Sequence, residues 1–180
     1  DENNQNVSDG SSGEIQIKGP NVFKEYWGKP KATYEAFTTY GWFKSGDIAI
    51  FNVDSFKILG RNSVDIIKSG GYKISALEIE EVLRTHTQIS DCGVVGIPDL
   101  EWGEIIGAFV RSDGNRPIDV EILRQHTRQL LSPQKTPVVW CQVVEFPLTG
   151  SGKIQKFVIR DRFVAGEYQE VNECRVAPLE

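Results

Sequence analysis

The sequence predicts an α+β fold: a β-rich piece over residues 13–60, then a small domain over 61–166 in which a short sheet carries packed helices. Three observations lead there. Before residue 60, apolar residues alternate with period two and break at Gly-Pro and at Asn/Asp/Ser turns. From Asn62 onward, short apolar runs interleave with stretches of helical spacing. Two of those stretches open on capping residues, Ser75 and Asp119. Residues 1–12 are polar and expected to form a disordered lead-in, and 167–180 form a tail.

In chain order, Glu14-Ile15-Gln16-Ile17-Lys18 reads as a half-buried strand stopped by Gly19-Pro20. The aromatic-rich segment from Val22 to Phe43 has no clean period. Ile48–Phe51 and Phe56–Leu59 read as strands joined by the turn Asn52–Ser55. Ser75-Ala76-Leu77-Glu78 fits a capping box, with Ile79, Val82 and Leu83 on one helical face, and predicts a helix to about Arg84. Cys92–Ile97 and Ile105–Val110 are buried-strand candidates around a Pro-Asp and Trp-Gly turn region. Asp119 caps a helix expected through Leu131, ended before Pro133. Val138–Phe146 reads as a third strand, and Phe157–Val164 as a closing helix stopped near Gly166.

The formal net charge of −5, with basic residues dispersed among acids, argues against a nucleic-acid partner. Cys92, Cys141 and Cys174 are far apart and odd in number, which suggests neither a disulfide framework nor a metal site and favours a reducing compartment. No apolar run approaches the ~20 residues of a membrane span. The chain contains no methionine and opens on Asp1, which reads as a fragment. A targeting segment is not visible in it.

Several stretches carry candidate chemistry. Pro147-Leu148-Thr149-Gly150-Ser151-Gly152-Lys153 reads as a flexible hinge carrying one lysine ammonium outward, able to reach an anionic centre. It lacks the first glycine and the Ser/Thr of a phosphate-binding P-loop, and a solvated loop lysine is the plain alternative. Asp47, after the glycine of Ser45-Gly46 and before a strand, could accept hydrogen bonds from ribose hydroxyls or could cap its own turn. Arg61 suits ribose or phosphate oxygens, or a surface ion pair. Ser69-Gly70-Gly71 permits close approach of a ligand to backbone N–H groups, or makes an ordinary hairpin turn. His86 and His126 have no triad partners nearby in sequence and read as surface or capping residues. Trp102-Gly103-Glu104 is a contact surface or a turn packed on the sheet.

Taken together, the order and spacing of these sites, from about Gly13 to Val164, resemble the adenylate-forming superfamily of acyl-CoA synthetases, luciferases and peptide-synthetase adenylation domains. Gly60–Glu80 is most similar to the malonyl-CoA synthetases within it. The resemblance implies the C-terminal part of an acid–CoA ligase of fatty acid metabolism: a mobile α+β domain over 61–166, preceded by the β-rich end of a larger N-terminal domain. The implied substrates are a small carboxylic acid such as malonate, ATP with Mg2+, and CoA. Lys153 would be catalytic, Asp47 and Arg61 would bind the nucleotide, and Ser69, Gly70 and Gly71 would line the pantetheine passage. Ser63 would be the hinge, where many relatives carry a charged Asp or Lys.

No metal ligand is implied in this chain. The phosphate loop and acyl pocket would lie upstream, so the fragment alone would be inactive without its N-terminal domain. The compartment would be intracellular, mitochondrial or cytoplasmic. Other readings are a medium- or long-chain fatty acyl-CoA ligase, a peptide-synthetase adenylation domain, and a standalone, non-catalytic interaction module.

Overall fold

The computed structural model describes residues 1–171. The chain divides into two compact units, Asp1–Ser63 and Val64–Glu180.

The first unit is built on β1 (Ser12–Ile17), α1 (Pro30–Ala36), β2 (Phe43–Asn52) and β3 (Ser55–Arg61), with the strands ordered β1-β2-β3 and antiparallel throughout. Residues 1–11 run as turns and bends, with the Asp1 carboxylate accepting the backbone N–H groups of Asn3 and Gln5. Periodicity misses α1 because it has only seven residues, about two turns, and buries none of them. Pro30 at its start supplies the preset φ of a first helical turn. Phe23, Phe37 and Phe43 pack edge to face or tilted, with ring centroids 5.1–5.6 Å apart, which explains the aromatic content of that segment.

The second unit contains β4 (Ile66–Ser69), β5 (Tyr72–Ser75), α2 (Ala76–Arg84), β6 (Asp91–Asp99), β7 (Gly103–Arg111), α3 (Val120–Leu130), β8 (Val139–Gln142) and α4 (Lys156–Val164). Its five-stranded sheet is organised by β7. One edge of β7 pairs with β6 along its whole length; the other meets β4 at Gly103 and β8, in parallel, from Gly107 to Val110.

Strand alternation then sorts the core into two faces. Cys92, Val94, Ile106, Ala108 and Val110 face Ile79, Leu83 and Leu123 of α2 and α3. Val95, Ile97 and Phe109 face the other way and meet Ile159 and Phe163 of α4. Gly107 faces the same side, and a Cβ there would meet Ile97 Cδ1, so a larger residue would displace the Ile97 side chain.

The N-cap oxygens read from sequence are in place, while the Glu78 carboxylate, expected to complete the capping box, accepts from Lys135 Nζ at 2.7 Å. Ser75 Oγ accepts the Glu78 N–H at 3.2 Å, and Asp119 Oδ1 accepts the N–H groups of Glu121 and Ile122 at 3.0 and 3.1 Å. α4 ends in a Schellman motif, in which Gly166 (φ 78°) donates to Phe163 O and Glu167 donates to Arg162 O. The strand expected over Val138–Phe146 stops at Gln142, because its partner β7 ends at Arg111, one residue beyond the last pair Val110–Gln142.

Ile79→Ala is expected to destabilise this unit by about 2–5 kcal/mol through cavity formation. Asp119→Ala should cost about 1 kcal/mol through loss of one cap. Urea unfolding followed by circular dichroism measures both.

Candidate functional site

The lysine loop is a closed turn, in contrast to the flexible hinge expected from its composition. Leu148 and Ile154 form an isolated antiparallel bridge. Inside it Thr149 N–H donates to Lys153 O at 2.8 Å, Gly152 N–H to Thr149 O at 2.9 Å, and Lys153 N–H to Thr149 Oγ1 at 3.1 Å. Gly152 sits at φ 79°, the one position of this loop that requires glycine. Gln155 closes the base, its N–H donating to Pro147 O and its Nε2 to Leu148 O. The backbone of Lys153 is thereby fixed while its side chain is exposed.

Three residues on, the structure buries a second lysine that the sequence analysis did not single out. Lys156 Nζ lies 2.6 Å from Asp65 Oδ1 and 2.7 Å from Glu80 Oε1. Glu80, only 2% exposed, also accepts the Val94 N–H at 2.8 Å and pairs with Arg84 Nη2 at 3.3 Å. Arg84 continues to Asp91, and Asp91 to Arg111. Three cations thus face three carboxylates, which offsets the cost of taking charge out of water. The signal in the sequence is spacing: Lys156, Ile159 and Phe163 form one helical stripe, and Ala76, Ile79, Glu80 and Leu83 another, so each charge occupies a core position.

The glycine pair forms the two-residue turn of the β4–β5 hairpin, with φ 55° at Gly70 and 82° at Gly71. Ser69 ends β4 and pairs with Gly103. Gly70 donates to Trp102 O at 2.9 Å, and a Cβ there would lie 2.8 Å from the Trp102 ring. Trp102 is thus a turn packed against this hairpin.

The glycine turn and the lysine loop lie toward opposite ends of β7. The first is level with Gly103. Ile154, beside Lys153, contacts the site of Gly93, which pairs with Phe109. The intervening stretch of strand spans roughly 20 Å.

In the first unit the structure brings Asp47 and Arg61 together. They are cross-strand partners, with Arg61 Nε 3.1 Å from Asp47 Oδ1, and the arginine side chain is largely exposed. Asp47 lies inside β2, not before a strand as expected. The register slips between Glu14 and Gln16, leaving Ser45, Gly46 and Asp47 opposite one residue of β1. Gly46 takes φ 77°, and its N–H donates to Glu14 Oε1 at 3.1 Å. Such a bulge re-aims the side chain beside it. Ser63 is exposed and is the last residue of this unit.

The remaining candidates are structural. Burial raises the thiols of Cys92 and Cys141 to a pKa of about 12; Cys174 lies outside the described residues. The rings of His86 and His126 meet edge to face with centroids 5.0 Å apart, with His126 Nε2 within 2.9 Å of Thr85 Oγ1, and His86 titrates below its ordinary value through burial and then its neighbour's charge. Among the described residues no group of three or more His, Cys, Asp or Glu could hold a metal ion. Among them, too, no helix is long and apolar enough to cross a membrane.

Residues 78–153 match the family of AMP-binding enzyme C-terminal domains. That stretch holds most of α2, the strands β6 to β8 and the lysine loop, so the chain carries the C-terminal domain of AMP-binding enzymes. The sequence is similar to malonate–CoA ligases. The mitochondrial malonate–CoA ligase of Xenopus laevis is 46% identical over 144 residues, which cover 80% of this chain and 25% of that protein. ATP-bound MatB from Rhodopseudomonas palustris superposes with a TM-score of 0.77 at 31% identity, covering 87% of this chain and 31% of that one. The amide bond synthetase McbA from Marinactinospora thermotolerans gives 0.81 at 29% identity, covering 91% and 33%. The chain spans about a quarter of the length of the curated relatives it matches.

With both described thiols protonated at pH 8, iodoacetamide should leave Cys92 and Cys141 unmodified in the native chain and alkylate them in guanidinium, as read by peptide mass mapping. Lys156→Met, which removes the ammonium from between the Asp65 and Glu80 carboxylates, should lower stability by about 3–5 kcal/mol. Lys153→Ala should change it by less than about 0.5 kcal/mol, since that side chain is exposed. Thermal and urea unfolding separate the two.

Proposed function

We propose that this chain serves as the C-terminal part of an ATP-dependent acid–CoA ligase that activates malonate. The observation that carries the reading is the placement of an exposed lysine on a rigid loop and a backbone-open glycine turn toward opposite ends of β7. A domain so built presents one loop or the other to a single active centre, and that centre needs two different helpers only if it runs two reactions in turn.

In the first reaction a carboxylate oxygen attacks the α-phosphorus of ATP, the bond to the β-phosphate oxygen breaks, and pyrophosphate leaves with that electron pair. The Lys153 ammonium, between the carboxylate and the α-phosphate, offsets their repulsion and the charge that builds in the transition state. In the second, the sulfur of CoA attacks the acyl carbonyl, the bond to AMP breaks, and the thiol proton passes to solvent. Here Ser69, Gly70 and Gly71 line the path of the pantetheine arm, where the missing side chain of Gly71 leaves open space and Gly70 lets the turn lie against Trp102. Asp47 accepts hydrogen bonds from the ribose hydroxyls in both steps and Arg61 supports the same nucleotide. Their pair, largely exposed at Arg61 and half-buried at Asp47, is weak enough, at about 1 kcal/mol, to be rearranged by a ligand.

Ser63 is the hinge, supported by the division of the chain after it. Malonate as the acid and a mitochondrial location rest on the names of the relatives. Mg2+ would enter with ATP, and no role of this chain's residues depends on it.

In the full-length enzyme, Lys153→Ala is expected to slow acyl-AMP formation by roughly 100-fold or more while thioester formation from supplied acyl-AMP stays near the wild-type rate. Equal effects on both half-reactions, or none, would contradict the assignment. Competition between malonate and medium- or long-chain acids identifies the substrate class.

A further inference from the structure

Lys156 occupies a position that neither helix electrostatics nor stability accounts for. It is the first residue of α4, at the positive end of the helix dipole, where a cation is disfavoured. No acidic residue lies in that first turn, and Gln155 gives no side-chain cap. Its compensation comes from elsewhere in the unit: Asp65, ahead of β4, and Glu80 on α2. A buried ion triad is a poor device for stability alone, since well-packed apolar groups do as well or better. It does fix geometry, because both acceptor positions and the ammonium must coincide.

The connections run in both directions. Asp65 stands two residues beyond Ser63, and its backbone O accepts the Ala76 N–H that opens α2. Lys156 stands three residues beyond Lys153, joined through Gln155, which bonds to both Pro147 and Leu148. The ammonium of Lys156 therefore ties the root of the lysine loop to the segment by which the chain enters this unit.

We propose that Lys156, held by Asp65 and Glu80, is a positioning residue for Lys153: it fixes the lysine loop relative to the hinge-proximal strand, and adenylation depends on that fix while thioester formation does not. The inference rests on the ligase reading above.

The test is made on the full-length enzyme with Asp65→Asn, which removes one carboxylate charge and leaves the 2.7 Å Lys156–Glu80 pair. Acyl-AMP formation from malonate and ATP, and thioester formation from supplied malonyl-AMP and CoA, are measured on one preparation. Their ratio does not depend on the fraction of enzyme folded, so a merely structural role leaves it unchanged. The ratio is expected to fall roughly 10- to 100-fold, in kcat more than in the KM for ATP, as a small misplacement of a catalytic group costs. Lys156→Arg keeps the charge with a different reach and should fall between wild type and Asp65→Asn. It decides the matter alone if Asp65→Asn yields no folded enzyme. A wild-type ratio in the variant that is read overturns the inference by itself. A wild-type enzyme that forms no acyl-AMP from any acid overturns the ligase reading and this inference with it.

Discussion

The carboxylate of Glu80 is the group around which the small domain is assembled. One oxygen takes the Val94 N–H of β6 and the ammonium of Lys156 from α4, and the other pairs with Arg84 on its own helix. Elements on both faces of the sheet are thus joined by one nearly dry charge. Apolar packing supplies most of the driving force, through Ile79, Leu83 and Leu123 on one face and Ile159 and Phe109 on the other. What packing leaves soft is how helices slide over a sheet, and a charge with several obligatory partners removes that freedom.

Function follows from what this rigidity carries. The strand β7 acts as a ruler: at one end it meets the Gly70-Gly71 turn through Gly103, and near the other lies the turn that presents Lys153. Neither loop gains from being flexible. The lysine turn is closed by Thr149 and Gln155, and the glycine turn is braced by Trp102. On the proposed ligase reading, the group offered to the reacting centre changes when the whole unit moves about Ser63, the last residue before it.

Much of this was legible in the sequence, for reasons that can be located. Ser75 and Asp119 announce their helices because capping is local chemistry, and the β6–β7 hairpin because its apolar runs are long. The lysine and glycine motifs stand out because their residue types are unusual in combination. α1 was not legible, being too short to show a period. The extent of β8 was not, because it is set by where β7 ends. Asp47 was placed before a strand because a bulge inside β2 looks, in sequence, like a turn. The Lys156 network escaped because charged residues are ordinarily read as surface, and only the joint position of Lys156 and Glu80 on apolar stripes marks them as interior. The partnership of Asp47 with Arg61 needed the register of β2 against β3, which no local pattern encodes.

The proposed ligase activity requires that the intact enzyme form a mixed anhydride with AMP before any thiol is present. ATP–pyrophosphate exchange by the full-length enzyme, measured without CoA and with malonate as the acid, reads that step directly. Malonate-dependent exchange is the expected result. Absence of exchange with malonate and with every other carboxylate would contradict the ligase reading.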